Sequence, residues 1–447
     1  MKQKRILIIS TYFPPLPSAA SLRVYSFAKY WARMGNDVTV LTTNKTKQSD
    51  SDFNLPHELF KVVEIPYFSV THEAYKVLKR LRAGILNRTI NNPGTDCASI
   101  NTFNVSLKLK SIINKLKRRY GFFTTARIPD DHDTWIWPAV NEGDKLLNTN
   151  KFDWIFSSYG PPASHIVAGI LSKRHKIRWI ADYRDLWIEG HIYPGIWPFK
   201  MLEKHLENKY VGNYANILTT VSLPLAKILG NKFSTQVHVI QNGYDEEDYV
   251  KKPPPYFKHE KKRIVYTGTI YTGKQDPSPL FAAIGLLAKN GKLPPNRLSN
   301  FEVLFFGSPN DWLNSLIHKY NVEFWVKLMG TVCRDDVLSI TNQSDMLLFL
   351  DWEDQGKDGI LTSKIFEYIA TRKPILGVGA TENTSSGALM LKAGVGIAAG
   401  RDIQKIASII ESLLNSDKVA FQIHPNEKII NELTRSRQAE KLLHLMR

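Results

Sequence analysis

Residues 357–379 read KDGILTSKIFEYIATRKPILGVG, and they follow an apolar run, MLLFLDW, from Met346 to Trp352. That run has the length and composition of a buried parallel strand, so a strand leads into a loop. From Thr362 the periodicity changes. Ile365, Phe366, Ile369 and Ala370 are spaced for one face of a helix, which Pro374 ends after Arg372 and Lys373. Thr362 or Ser363 is placed to cap the N-terminus of that helix. The free N–H groups of the first turn, with Lys364 among them, make a seat for a diphosphate. Glu367, one turn on, cannot bind phosphate, but its carboxylate suits the two hydroxyls of a ribose. PILGVG then supplies the next strand. The same residues also read as an ordinary strand, helix, strand crossover carrying a surface lysine and a surface glutamate.

The rest of the chain repeats this alternation. Arg5 to Ser10 is an apolar strand and TYFPPLPSAASLR a Pro-rich loop. The following helix has Val24, Phe27, Ala28 and Trp31 on one side and stops at Gly35, and a second strand runs from Asp37 to Thr42. Asp153 to Ser157 and Arg178 to Ala181 read as parallel strands flanking a helix. SSYGPP (157–162) and DYRDLW (182–187) therefore both lie at strand C-terminal ends, where ligands bind in open α/β sheets. His165 falls inside the intervening helix and is expected to be a packing residue. A strand through VHVIQ ends at Asn242-Gly243, and VKKPPPYFKHEKK is the clearest linker, with three consecutive prolines and many charges. The strand RIVYTG opens a second series of strands and helices, with Gly307 at the end of FEVLFFG and a helical pattern from Asp402 to Arg447. No G-x-G-x-x-G follows the first strand, which counts against a dinucleotide enzyme.

At 447 residues the chain suggests two domains of about 200 residues each. Cys97 and Cys333 are the only cysteines and form no metal or redox spacing, which fits a reducing, cytoplasmic setting. The N-terminus MKQKRILIIS resembles a first strand more than a signal peptide, and no apolar run approaches the length of a membrane helix. The formal net charge of +17 suggests an anionic partner: nucleic acid, a phosphorylated substrate or an anionic membrane surface. Much of the charge lies in residues 72–120. There Val77, Leu78, Leu81 and Ile85 stand opposite Lys76, Lys79, Arg80 and Arg82, and Leu107, Leu109, Ile112, Ile113 and Leu116 opposite Lys108, Lys110, Lys115, Lys117 and Arg118. Basic amphipathic segments of this kind suit an anionic membrane surface, or pack by their apolar faces as solvated helices. No Asp-x-Asp motif or His/Cys/Asp cluster is read as holding a metal between phosphates, so neither a metal nor another cofactor is expected.

SKIFEYIATRKPIL closely resembles the nucleotide-sugar segment of retaining glycosyltransferases of family 4, which have the two-domain GT-B fold. In that family two glutamates separated by seven residues bracket the donor. Glu367 matches the second, and Gly359, with Asp358 beside it, stands where the first would be. The opening βαβ unit resembles the family's as well, with Pro17, Ser18, Ala19 and Ala20 in place of its paired glycines. ADYRDLW resembles the ADxRDxW of a bacterial subgroup, with Asp182, Arg184, Asp185 and Trp187 matching. In TGTIYTGK, Thr269 occupies the place of the family's diphosphate-binding Arg, and Lys274 matches its Lys.

The resemblance implies two Rossmann-like domains facing across a cleft: 1–243 for the acceptor, with 72–120 inserted, and 244–425 for the nucleotide sugar. A terminal helix, 426–447, returns to the first domain. It implies donor contacts from Thr269, Lys274, Gly307, Thr362, Ser363, Lys364 and Glu367, and acceptor contacts from Ser18, Ala19, Ser158, Tyr159, Arg184 and Trp187. Asp182, Asp185 and Lys364 are its catalytic candidates. The expected reaction is metal-independent transfer of a sugar, with retention, from a UDP-sugar to a lipid-linked or oligosaccharide acceptor in capsule, O-antigen or exopolysaccharide synthesis. It would take place at the inner face of the cytoplasmic membrane and without nucleic acid. Two alternatives stay open: a nucleotide-sugar 2-epimerase, and a non-catalytic partner subunit of the same fold.

Overall fold

The structure is a computed structural model. It describes residues 3–16, 18–44, 55–68, 128, 130–189, 197–250, 254–258, 261–294, 300–352, 359, 361–415 and 423–447. Pro17, Asp358 and the basic segment 72–120 lie outside the described residues. The chain forms two compact units. Unit 1 comprises 1–221, 225–239 and 443–447, and unit 2 comprises 222–224 and 240–442. The border in sequence thus falls at 239/240, where the motif reading put 243/244.

Unit 1 is built on a seven-stranded parallel sheet of β1 (Arg5–Ile9), β2 (Asp37–Thr43), β3 (Lys61–Ile65), β4 (Trp154–Ser158), β5 (Arg178–Tyr183), β6 (Ile217–Thr220) and β7 (Val237–Val239). The spatial order is β3-β2-β1-β4-β5-β6-β7. Register is continuous across the centre, with Ile8 paired to Val40 on one side and to Phe156 on the other. β1 and β4 are buried along nearly their whole length, which explains why RILII and WIFSS are apolar runs with no alternation. The order reverses between β1 and β4, so the loops after Ile9 and after Ser158 flank the switch point of this sheet.

Unit 2 repeats the plan in β8 (Lys262–Thr267), β9 (Phe301–Phe306), β10 (Val326–Gly330), β11 (Met346–Leu350), β12 (Ile375–Val378) and β13 (Gly396–Gly400). They are ordered β10-β9-β8-β11-β12-β13, all parallel. One core cluster, with Phe281, Phe305 and Ile410, covers one part of the sheet. A second, with Val265, Phe349, Phe366 and Ile369, packs the opening stretch of the sequence analysis against it. Tyr256 and Phe257, inside the Pro-rich run read as a linker, pack against that second cluster. The switch point lies between β8 and β11, and the segment after β11 is the one quoted first.

The C-terminal region is helical over Ile403–Leu414, Glu427–Glu432 and Arg435–Leu445. Its final residues 443–447 belong to unit 1, where Arg178 Nη1 donates to the carbonyl of Arg447. Among the described residues no helix is long and apolar enough to cross a membrane.

Candidate functional site

In unit 2, β8 ends in Tyr266-Thr267-Gly268-Thr269. The ring of Tyr266 is fully buried, and its hydroxyl donates to the carbonyl of Thr269 at 3.0 Å, holding the exposed loop against the strand end. The helix Ser363–Ala370 begins beside it. Thr362 occupies its N-cap position with extended backbone but makes no side-chain capping bond; its carbonyl takes the N–H of Ile365 at 3.3 Å, and its hydroxyl leaves the N–H groups of Ser363 and Lys364 uncapped. Lys364 projects from that first turn and sets its ammonium 3.5 Å from the centroid of the Tyr266 ring. One turn on, Tyr368 turns inward, and its hydroxyl accepts from the N–H of Thr267 at 2.9 Å, fixing helix to strand.

Bare backbone surrounds the ammonium. Gly268 has φ +109, and a Cβ there would come within 3.3 Å of Lys364 Nζ. Gly307, at the end of β9, packs so closely that a Cβ would fall 2.3 Å from the carbonyl oxygen of Gly268. Among the described residues no carboxylate pairs with Lys364. Burial pushes its pKa down to about 7, and Glu367 offsets the shift only in part. A cation on an aromatic face, beside a helix N-terminus and glycine loops at a switch point, is arranged to receive an anion.

Glu367 is partly buried, and its charge acts on Arg334 and Tyr249 as well as on Lys364. Ser363 and Thr362 are partly buried beside it. Lys274 sits in the next turn of the β8 loop, where its N–H and that of Gln275 both donate to the carbonyl of Tyr271. Gly359 has φ +109, and a Cβ there would meet Ser222 Oγ at 2.8 Å and Pro224 Cβ at 2.9 Å. The place of the family's first glutamate therefore has no room for a side chain.

In unit 1 several expected acceptor residues have other employment. The Asp182 carboxylate is fully buried, and four donors occupy it. Arg23 Nη2 at 2.7 Å and Thr219 Oγ1 at 2.8 Å reach one oxygen, and Arg23 Nε at 2.9 Å and Ser158 Oγ at 3.0 Å reach the other. Burial alone would raise its pKa, but the Arg23 charge and these bonds hold it below the ordinary value. Asp182 is thus a brace between the first helix and the ends of β4, β5 and β6, with no lone pair turned toward an acceptor. Ser158 is spent on the same brace.

Tyr159 and Trp187 are core aromatics, with ring centroids 5.7 Å apart and both side chains buried, so the expectation that they touch the acceptor is corrected by their burial. Ser18 caps the helix Ala19–Arg33, its Oγ accepting from the N–H of Ser21 at 3.1 Å, and Ala19 is exposed in the first turn. Arg184 clamps the SSYGPP loop by donating to the carbonyls of Tyr159 at 2.8 Å and Gly160 at 2.9 Å. Gly160 accommodates it with φ +90, since a Cβ would lie 2.5 Å from Arg184 Nη2. Asp185 stays largely exposed, 3.6 Å from Arg184 Nη1. His165 is a packing residue as expected. Its Nδ1 is 2.8 Å from Ser157 Oγ, and burial lowers its pKa to about 3.

Arg23, Tyr266 and Gly268 escaped the sequence reading, since each resembles an ordinary helix or strand residue until its partner is known. So did Asp130, His132 and Asp133. The His132 ring stacks on Tyr67 at 5.2 Å and meets the edge of Tyr12 at 6.0 Å. Asp130 Oδ1 accepts from the N–H of His132, and among the described residues Asp130 Oδ2 and Asp133 Oδ1 are buried with no hydrogen-bond partner. Burial, then the neighbouring Asp130, pushes Asp133 up to about 7. The run DDHD was the available signal.

No family model matches the chain, and no curated protein matches it in sequence. Solved structures do match it over their whole length. HepE of Anabaena, in complex with UDP, is 12% identical with a TM-score of 0.59, covering 99% of this chain and 99% of that one. WaaG, a glycosyltransferase involved in lipopolysaccharide biosynthesis, is 11% identical with a TM-score of 0.55, covering 99% of each. The UDP-GlcNAc 2-epimerase of Methanocaldococcus jannaschii is 12% identical with a TM-score of 0.51, again covering 99% of each. At these identities the likeness shows the fold: the chain has the GT-B fold of two Rossmann-like domains. Its structural neighbours include both glycosyltransferases and nucleotide-sugar epimerases.

Proposed function

We propose that the protein is a retaining glycosyltransferase of the family-4 type that moves a sugar from a nucleotide sugar, UDP-linked by preference, to a lipid-linked saccharide acceptor in cell-surface polysaccharide synthesis. The observation that carries the proposal is Lys364. Its ammonium rests on the Tyr266 ring beside uncapped helix amides and the bare backbone of Gly268 and Gly307. UDP in the HepE structure and the lipopolysaccharide role of WaaG support the choice of donor and pathway class.

In this mechanism the bond between the anomeric carbon and the diphosphate oxygen breaks. The acceptor oxygen bonds to the same face of that carbon, and its proton passes to the departing phosphate. Lys364, Lys274 and the first-turn amides near Ser363 meet the charge that grows on the leaving group, with no metal required for that role. Glu367 takes the ribose hydroxyls, and Thr269 and Gly307 line the diphosphate. On the acceptor side, Ala19 and Asp185 are the exposed candidates, while Asp182 and Arg184 hold their loops.

The test is to incubate the protein with UDP-, GDP- and dTDP-sugars and a polyprenyl-diphosphate-linked saccharide. A transferase releases nucleotide and extends the acceptor. Conversion of the donor sugar without transfer would instead establish an epimerase, and neither product would leave a non-catalytic subunit.

A further inference from the structure

The helix Phe199–Glu207 in unit 1 is amphipathic in the unusual sense. Its inner face carries carboxylates: Glu203 is 1% exposed and Glu207 0%, the latter accepting from Tyr183 Oη at 2.9 Å and pairing with Lys232. Its outer face carries the apolar groups. Met201 is 61% exposed and Leu202 45%, and Trp197, just before the helix, is 76% exposed. Trp197 Nε1 donates to Met201 Sδ at 3.1 Å, so the indole and thioether form one surface unit one turn long. Lys200, Lys204, His205 and Lys209 are exposed around them.

A solvated helix has no reason to turn tryptophan, methionine and leucine to water while burying two glutamates. Apolar groups ringed by lysines, on a chain of net charge +17, match a surface that is apolar inside and anionic at its rim. We propose that Trp197, Met201 and Leu202, ringed by Lys200, Lys204 and Lys209, are the face by which unit 1 docks on an anionic phospholipid bilayer. The proposal deepens the lipid-linked acceptor reading and rests on it. It assigns the contact to a helix separate from the basic segment 72–120.

The test uses the full chain with Cys97→Ser and Cys333→Ser, and Met201→Cys carrying an environment-sensitive fluorophore. With phosphatidylglycerol vesicles the label is expected to shift to the blue and to be quenched by brominated acyl chains. Phosphatidylcholine vesicles should do neither. In the unlabelled chain, Trp197→Ser with Met201→Ser and Leu202→Ser should weaken vesicle partitioning about tenfold or more at unchanged melting temperature, since all three side chains are exposed. If the protein sediments with anionic vesicles while the label stays in water, another surface binds, and this face is overturned with the acceptor reading intact. A label already shifted without vesicles means that another segment or a second copy covers the face, which also overturns it. Absence of sedimentation with anionic vesicles removes both the face and the membrane-bound reading.

Discussion

The ammonium of Lys364 stands 3.5 Å from the ring centroid of Tyr266, with its charge carried against an aromatic face and, among the described residues, against no carboxylate. A cation held this way is stabilised by the ring by about 1–2 kcal/mol when desolvated, and remains available to an incoming anion. Lys364→Ala should therefore lower kcat about 100-fold, the loss seen when one preorganised donor is removed from a developing charge. On the proposed reading Glu367→Gln should act differently, weakening nucleotide affinity by about 1.5–3 kcal/mol, because bonds from this carboxylate to a ribose would be made in ground and transition states alike. Kinetics with a titrated donor separate the two. Normal turnover and UDP binding in both folded variants would reduce this helix to scaffold.

Burial brings Lys364 to about 7, so at pH 8 much of it is neutral in the free protein. A bound diphosphate favours the charged form and raises the pKa, so binding takes up a proton between the free and bound values. UDP affinity should fall as pH rises above about 7. Calorimetry at pH 8 in two buffers of different ionisation enthalpy should show proton uptake that Lys364→Met abolishes. For stability the sign is that of a depressed lysine. The cost of burying the charge is fully present below about pH 7 and is relieved as pH rises from there toward 10.5.

The close approach of Gly307 to Gly268 makes a sharper test of the site than any charge does. A methyl at 307 would meet a backbone carbonyl at 2.3 Å, and backbone cannot swing aside as a flexible side chain would. Gly307→Ala should weaken UDP binding at least tenfold by pushing the β8 loop away from Lys364, and should lower the melting temperature as well, in keeping with an overpacking cost of about 1–3 kcal/mol. Unchanged UDP binding by calorimetry would place the diphosphate elsewhere.

What the sequence made legible follows from how local each signal is. Apolar runs such as MLLFL and WIFSS marked strands because a parallel strand covered on both faces needs no partner to look buried. The helix Ser363–Ala370 was legible from its own periodicity and Pro374. Side-chain roles were not, because they depend on residues far away in the chain. Asp182 looked like a site carboxylate at a strand end, and it became a brace only once Arg23, 159 positions earlier, was found on it. Trp187 matched a motif and Tyr159 stood in a strand-end loop, and neither signal carries information on which way a ring points. Gly359 looked like a missing glutamate until Ser222 and Pro224 showed that the position is closed.

The Arg23–Asp182 pair predicts a stability phenotype. Asp182→Asn leaves a buried guanidinium without its counter-charge, a change expected to cost about 3–5 kcal/mol, whereas Asp185→Asn, largely exposed, should cost less than about 1 kcal/mol. Because the folded state holds Asp182 below its ordinary pKa, its contribution is present above the unfolded value and is lost as pH falls through the folded one. The wild-type chain should lose this advantage in acid, and Asp182→Asn should show a flatter stability profile below about pH 4. Wild-type stability in Asp182→Asn together with lost turnover would return the carboxylate to the catalytic list.

Asp133 has the opposite sign. Its carboxyl is pushed up to about 7 by burial and then by Asp130, so the folded state binds a proton more tightly than the unfolded state between about pH 4 and 7. Stability should fall as pH rises through that window and reach its full penalty above about 7, where the folded protein must hold both carboxylates charged. Asp133→Asn keeps an oxygen to accept from the N–H of Asp130, which donates to Asp133 at 3.0 Å, and removes the charge. The variant should therefore melt higher than wild type at pH 8 and show little difference at pH 4. Melting curves across that range decide it. A variant less stable than wild type at pH 8 would mean that the Asp133 carboxylate is held charged by a cationic partner, and that the Asp130, His132 and Asp133 group is a satisfied network and not a strained one.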